Sequence, residues 1–156
     1  MKEVEEFFLE ASRQTYAADA PKTTIAELPK SKVLRYERGD WLYVDCYFSA
    51  NGKSFGTTTI WFQGQPVWGM QYHGHWNEKN KRIIPFLKRA LKSSYEKGEF
   101  LGGRGPVLFN EEELSMMYRN SPNTKSFREF EGTEWIFEFG GDGTEFIHNY
   151  SGMALV

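Results

Sequence analysis

Trp41-Leu42-Tyr43-Val44-Asp45-Cys46-Tyr47-Phe48, followed by Asn51-Gly52 and then by Ser54 through Phe62, is the stretch on which the fold turns. Successive side chains of a strand point to opposite faces, so Leu42, Val44, Cys46 and Phe48 share one face and Trp41, Tyr43, Asp45 and Tyr47 the other. The aliphatic set reads as the core face. Asn-Gly tolerates the left-handed backbone of a two-residue hairpin turn, which makes Ser54–Phe62 a returning strand. Gln63-Gly64-Gln65-Pro66 forms the next turn and Val67 to His73 a further strand. Short turns exclude parallel pairing, which needs long crossovers, so these strands form an antiparallel meander.

Outward from the meander, Val4, Phe7, Phe8 and Ala11 recur at helical spacing among Glu3, Glu5, Glu6 and Glu10, an amphipathic helix with its acids near the N-terminus. Pro21, Pro29 and small polar residues make 19–32 a surface loop. A second helix is expected over Asn80–Lys97, with Pro85 in its first turn, Gly98 as its cap, and Ile84, Leu87, Ala90, Leu91 and Tyr95 on one stripe. Gly102-Gly103-Arg104-Gly105-Pro106 breaks regular structure, and Glu111–Tyr118 reads as a short helix. Beyond Thr124, Glu134–Phe139, the turn Gly140-Gly141-Asp142-Gly143 and Thr144–Tyr150 read as a hairpin. The fold class is therefore α+β: a single domain over 1–156, with a sheet of roughly five to seven antiparallel strands and both helices packed on it.

An echo links the two hairpins. Gly56-Thr57, Ile60-Trp61 and Gln71-Tyr72-His73-Gly74 match Gly132-Thr133, Ile136-Phe137 and Asn149-Tyr150-Ser151-Gly152, with a longer turn in the second copy. Duplication of a hairpin unit and chance likeness between strand-turn-strand sequences both account for it.

Composition narrows the function classes. The chain of 156 residues carries 19 basic and 21 acidic side chains, a formal charge of -2, so no global field draws it to nucleic acid or anionic lipid. One cysteine cannot form an internal disulfide, and the acidic start Met1-Lys2-Glu3-Val4-Glu5-Glu6 is unlike a signal peptide, so a cytoplasmic location is expected. The 17% aromatic content and 15 glycines fit a sheet-rich fold.

Few residues carry a chemical signature. His73 and His75 share a strand face, a spacing that can place two imidazoles on one metal, but no third ligand is evident and no metal or cofactor is expected. Cys46 reads as a small buried hydrophobe rather than a nucleophile. Gly102–Pro106 offers amides and one guanidinium to an anion without the ending of a nucleotide P-loop, and otherwise reads as a mobile connector. Lys88, Arg89 and Lys92 help make the second helix basic, as a solvated face or as a surface for an acidic partner. The richest set is the second face of the meander, where simple strand pairing gathers Trp41, Tyr43, Asp45, Tyr47, Thr57, Thr59, Trp61, Gln71 and His73. Rings with hydroxyl, carboxylate, amide and imidazole groups supply both apolar area and oriented polar atoms.

Tyr36-Glu37-Arg38-Gly39-Asp40-Trp41 through Tyr47, and Trp61-Phe62-Gln63-Gly64-Gln65-Pro66 through Gly74, resemble a bacterial family catalogued as domain of unknown function 5680. Thr15-Tyr16-Ala17, Arg104-Gly105-Pro106 and Tyr150-Ser151-Gly152 add shorter landmarks, so the resemblance covers nearly the whole chain. The chain departs at Ser151, where a histidine is expected, and at Ala18-Asp19-Ala20, where glycines are. The resemblance brings no catalytic residues. Similar domains that follow helix-turn-helix segments imply a sensing role, and the absence of such a segment here implies a stand-alone binder.

The function expected from these residues is non-catalytic recognition of a small molecule or peptide, with Trp41, Tyr43, Asp45, Trp61 and His73 as the binding residues. The competing classes are an enzyme using Asp45 and His73 as an acid-base pair, and an interaction or immunity-type module using the basic helix. The apolar tail Met153, Leu155 and Val156 is expected to tuck into the core of a monomer rather than pair with a second copy.

Overall fold

The computed structural model describes residues 1–141 and 143–156; Asp142, part of the expected glycine-rich turn, lies outside the described residues. The chain forms an α+β fold with helix α1 (Lys2–Gln14), helix α2 (Ile83–Lys97) and one antiparallel sheet. Its strands are β1 (Lys32–Arg38), β2 (Trp41–Ala50), β3 (Lys53–Phe62), β4 (Gln65–Trp76), β5 (Leu108–Glu111), β6 (Met116–Pro122), β7 (Glu129–Glu138) and β8 (Thr144–Ala154). They lie in the order β1-β2-β3-β4-β8-β7-β6-β5, eight strands among the described residues rather than the roughly five to seven expected. Part of the difference lies at Glu111–Tyr118, where a single 3-10 turn (Glu112–Leu114) ends in the left-handed Ser115 and gives way to β6. Local helix propensity loses there because Met116, Tyr118 and Asn120 alternate into the core.

The strand order is symmetric. Each helix is followed by a four-stranded meander, and the two meanders meet where β4 pairs with β8, with Tyr72 directly opposite Tyr150. The echo in the sequence is thus an echo in register: Gly56 pairs with Tyr72 as Gly132 pairs with Tyr150, and both hairpins shift register at matching places, Ile60/Trp61 and Ile136/Phe137. In each pair a Cβ on the glycine would collide with the tyrosine hydroxyl, so glycine is what lets the ring lie across the neighbouring strand. Extending the match pairs Asp45 with Asn120, Thr58 with Glu134, Ser54 with Phe130 and Met70 with His148.

Both helices cover one face of the sheet, the inner face. Phe8 of α1 lies 5.0 Å from the Trp68 ring and 6.5 Å from Tyr43, and Phe7 lies 5.2 Å from Trp41. The core face of β2 is therefore the aromatic one, with Tyr43 and Asp45 buried, whereas Leu42, Val44, Cys46 and Phe48 are half-buried on the outer face. The aromatic side chains win because they bury more area against Phe7 and Phe8. The apolar tail also differs from expectation. β8 is a central strand, held by β4 on one side and β7 on the other, and Met153, Leu155 and Val156 are exposed rather than tucked in. Their backbone is engaged while their side chains stay outside: Met153 pairs with Gly69 and Glu129, and the Leu155 N–H donates to the Val67 carbonyl. No helix among the described residues is long and apolar enough to cross a membrane.

Candidate functional site

The inner face is packed in one half and open in the other. In the second half Trp68 stacks on Phe127 at 4.9 Å and on Phe130 at 5.7 Å, Phe100 meets both phenylalanines edge-on, and Trp68 Nε1 donates to the Phe127 carbonyl. The matching position to Phe130 in the first half is Ser54, and there a cavity of about 160 Å³ remains between the sheet and the helices.

Asp45 lines this cavity, and it is 4% exposed. Tyr72 Oη donates to Asp45 Oδ1 at 2.7 Å and Thr58 Oγ1 donates to the same oxygen at 3.0 Å. Oδ2 receives no hydrogen bond from the described residues. In the second half the same tyrosine contact is made to a neutral group, Tyr150 Oη donating to Asn120 Oδ1 at 2.7 Å, and Asn120 Nδ2 donates to the Leu101 and Gly105 carbonyls. The loop that plugs Asn120 has no counterpart over Asp45. Burial raises the Asp45 carboxyl above its ordinary range, against the pull of Tyr72, Thr58 and Arg104, and no basic nitrogen of the described residues lies within 4.0 Å of it.

A second buried network adjoins the first. Arg104 Nε and Nη2 donate to Glu134 Oε1 at 2.9 and 2.5 Å, and Tyr118 Oη donates to Glu134 Oε2 at 2.5 Å while accepting the Gly105 N–H at 2.9 Å. Burial works against the charge on Arg104, and the Glu134 carboxylate more than offsets it, holding the guanidinium charged. Arg104 also lies 5.4 Å from the centre of the Tyr72 ring, which joins the two networks. His148 is hydrogen-bonded to Ser54 Oγ at 3.0 Å through Nε2, and its buried Nδ1, 3.7 Å from Glu134 Oε1, has no hydrogen-bond partner among the described residues. Burial, with Arg104 nearby, lowers its pKa to about 2, so this imidazole is neutral. Gly74 makes room for it, since a Cβ there would collide with the His148 ring.

Of the five residues expected at the site, Tyr43 and Asp45 line the cavity. Trp41 is on the inner face but packs on Phe7 and, at 4.5 Å, on Phe62. Trp61 and His73 stand on the outer face, half-buried and exposed, so His73 cannot serve as a proton-transfer partner of Asp45. The reason is parity: the two-residue turn at Asn51-Gly52 pairs Asp45 with Thr58, which turns Thr57, Thr59 and Trp61 to the opposite side. Tyr72, Arg104, Glu134 and His148 were not anticipated at the site. The echo carried the signal for two of them, because it aligned Tyr72 with Tyr150 and, two strand positions away, Met70 with His148. Arg104, read as part of a mobile connector, is an anchored ion-pair member. Cys46 is half-buried on the outer face, with its thiol pushed up by burial and by Asp45. His73 and His75 are exposed, and no three potential metal ligands converge among the described residues. The basic helix is largely neutralised internally, with Lys88 paired to Asp19, Arg89 to Glu111 and Arg82 to Glu138.

The family described as Domain of unknown function (DUF5680) matches residues 45–154. This chain belongs to the DUF5680 family. The span matched by DUF5680 begins at Asp45 and contains every polar side chain of the two buried networks, together with the motifs Trp61–Gly74, Arg104-Gly105-Pro106 and Tyr150-Ser151-Gly152. No curated protein and no solved structure matches this DUF5680 chain.

Proposed function

We propose that this domain is a receptor for a small organic molecule, bound in the cavity between the inner face of the sheet and the two helices. The observation that carries the reading is the asymmetry of the two halves: the position filled in one by Phe130, packed against Phe100, is Ser54 in the other, where the cavity lies. Apolar walls from Phe8, Leu87 and Phe146 supply contact area, while Asp45, Tyr43 and Arg104 supply orientation. The volume favours a small molecule over a peptide, since a cavity of about 150 Å³ accommodates a single benzene ring. Trp61 and His73 are left out of this site, and Tyr43 and Asp45 are kept.

The test rebuilds the filled half in the open one. Ser54→Phe with His148→Met copies Phe130 and Met70, fills the space with groups the fold already uses, and avoids stranding the imidazole. Saturation-transfer NMR with single-ring probes (benzyl alcohol, benzylamine and benzoate) should show binding to the wild-type chain and none to the double variant, with circular dichroism unchanged. Absence of binding by all probes, or equal binding to the filled variant, removes the reading.

A further inference from the structure

We infer that the occupant of this cavity is a small organic cation, a protonated amine on a body of about one ring, whose charge pairs with Asp45. The inference rests on the cavity being a ligand site and adds the chemical class of the ligand.

The charges around the cavity sum to zero but are not all paired. Arg104 and Glu134 neutralise one another through a two-nitrogen contact, and His148 carries no charge. Lys32 stands at the mouth, hydrogen-bonded to Ser49 Oγ at 2.6 Å and lying 5.6 Å from the centre of the Tyr47 ring. Asp45, by contrast, lines the cavity with both of its donors on Oδ1 and none from the described residues on Oδ2. A carboxylate in a residue only 4% exposed, with one oxygen lacking a protein donor, is a costly group unless something completes it. An ammonium completes it as a charge-assisted hydrogen bond, and the faces of the tyrosine rings around the floor favour positive charge further. An anion would meet Asp45 head-on, and the guanidinium of the lining already gives Nε and Nη2 to Glu134. The lysine at the mouth fixes the orientation, with the ammonium inward and the uncharged body outward.

The second half supports the assignment of this charge to ligand binding rather than to folding. There the tyrosine hydroxyl is satisfied by Asn120, an uncharged group of the same shape, and its remaining amide protons are used by the plugging loop. The fold therefore does not need a carboxylate at this position. Only the open half has one.

The test uses the full chain and three matched probes measured by calorimetry: benzylamine, benzyl alcohol and benzoate. Benzylamine should bind roughly tenfold or more tightly than the other two, and Asp45→Asn should bring it down to the level of benzyl alcohol. Because Asn120 shows that asparagine is accommodated against a tyrosine at this position, the variant is expected to fold. A second measurement on the wild type guards against its failing to do so: benzylamine binding should weaken as pH falls and Asp45 takes up a proton, while benzyl alcohol binding stays constant. The other groups facing Asp45 do not confuse that profile. Tyr16, Tyr43, Tyr47, Tyr72 and Tyr95 are pushed upward by burial, His148 stays neutral, and Arg104 and Lys22 remain charged throughout the acidic range. Binding of benzyl alcohol or benzoate as tightly as benzylamine, or an amine affinity indifferent to Asp45→Asn, overturns the cationic class while leaving the receptor reading in place. Failure of all three probes to bind takes both down.

Discussion

Asp45 and Asn120 occupy equivalent positions and meet equivalent tyrosines, yet one is a carboxyl raised by burial and the other a neutral amide. A carboxyl whose folded pKa lies above its unfolded value favours folding when protonated. That contribution is complete below the unfolded pKa, about 3.9, and is lost as pH rises through the raised folded value. Asp45→Asn should accordingly raise the melting temperature by a few degrees near neutral pH and give no gain in acid, as thermal melts at the two pH values will show. Glu134 differs in having a countercharge: it is fully buried and ion-paired with Arg104, itself 8% exposed. Glu134→Gln keeps the volume but leaves the guanidinium without its countercharge, which should cost about 3–5 kcal/mol in urea denaturation. Tyr118→Phe removes one hydrogen bond from the same carboxylate and should cost about 1–3 kcal/mol.

At the scale of elements, what could be read from the sequence depended on how far apart the interacting residues lie. The hairpin at Asn51-Gly52, the stripe of α1 and the Gly98 cap of α2, whose N–H reaches the Ser94 and Tyr95 carbonyls, are local events and were legible. The start of α2 at Ile83 rather than Asn80, and the strand β6 in place of a helix, were set by packing against distant residues. The face of β2 that is buried depended on where the aromatic residues of α1 dock, which no periodicity within β2 records. The cavity shares that origin: Tyr43 and Asp45 could be picked out as a phenol and a carboxyl on one face of a strand, whereas Arg104 and Glu134 come from separate elements 30 positions apart. The close passage of tyrosine over glycine was visible only as an echo. It predicts that Gly132→Ala, which forces the Tyr150 ring off the neighbouring strand and away from Asn120, destabilises by about 1–3 kcal/mol. Chemical denaturation should show a lower midpoint at unchanged slope.

For the molecule as a whole, the symmetric order places β4 and β8 at the centre and leaves β1 and β5 as the edges. The central strands are paired on both sides and pass through the buried Trp68, Tyr72, Phe146 and Tyr150. The edge strand β5 has only the four residues Leu108–Glu111, with Leu108 exposed. Opening free energy scales with the contacts that must be broken, so amide exchange should be slowest along the β4–β8 seam and fastest in β5. The two halves should also differ from one another. The side of the seam packed by Phe100, Phe127 and Phe130 has no space to relax into, while β2 and β3 border the cavity at Asp45 and Thr58. Amides of β2 and β3 near Asp45 should therefore exchange faster than their counterparts in β6 and β7 near Asn120, and the Ser54→Phe/His148→Met variant should slow them toward those counterparts. Hydrogen exchange read by mass spectrometry resolves both comparisons; equal rates in the two halves, unmoved by the variant, would mean that the open space above Asp45 does not govern the mobility of the strands around it.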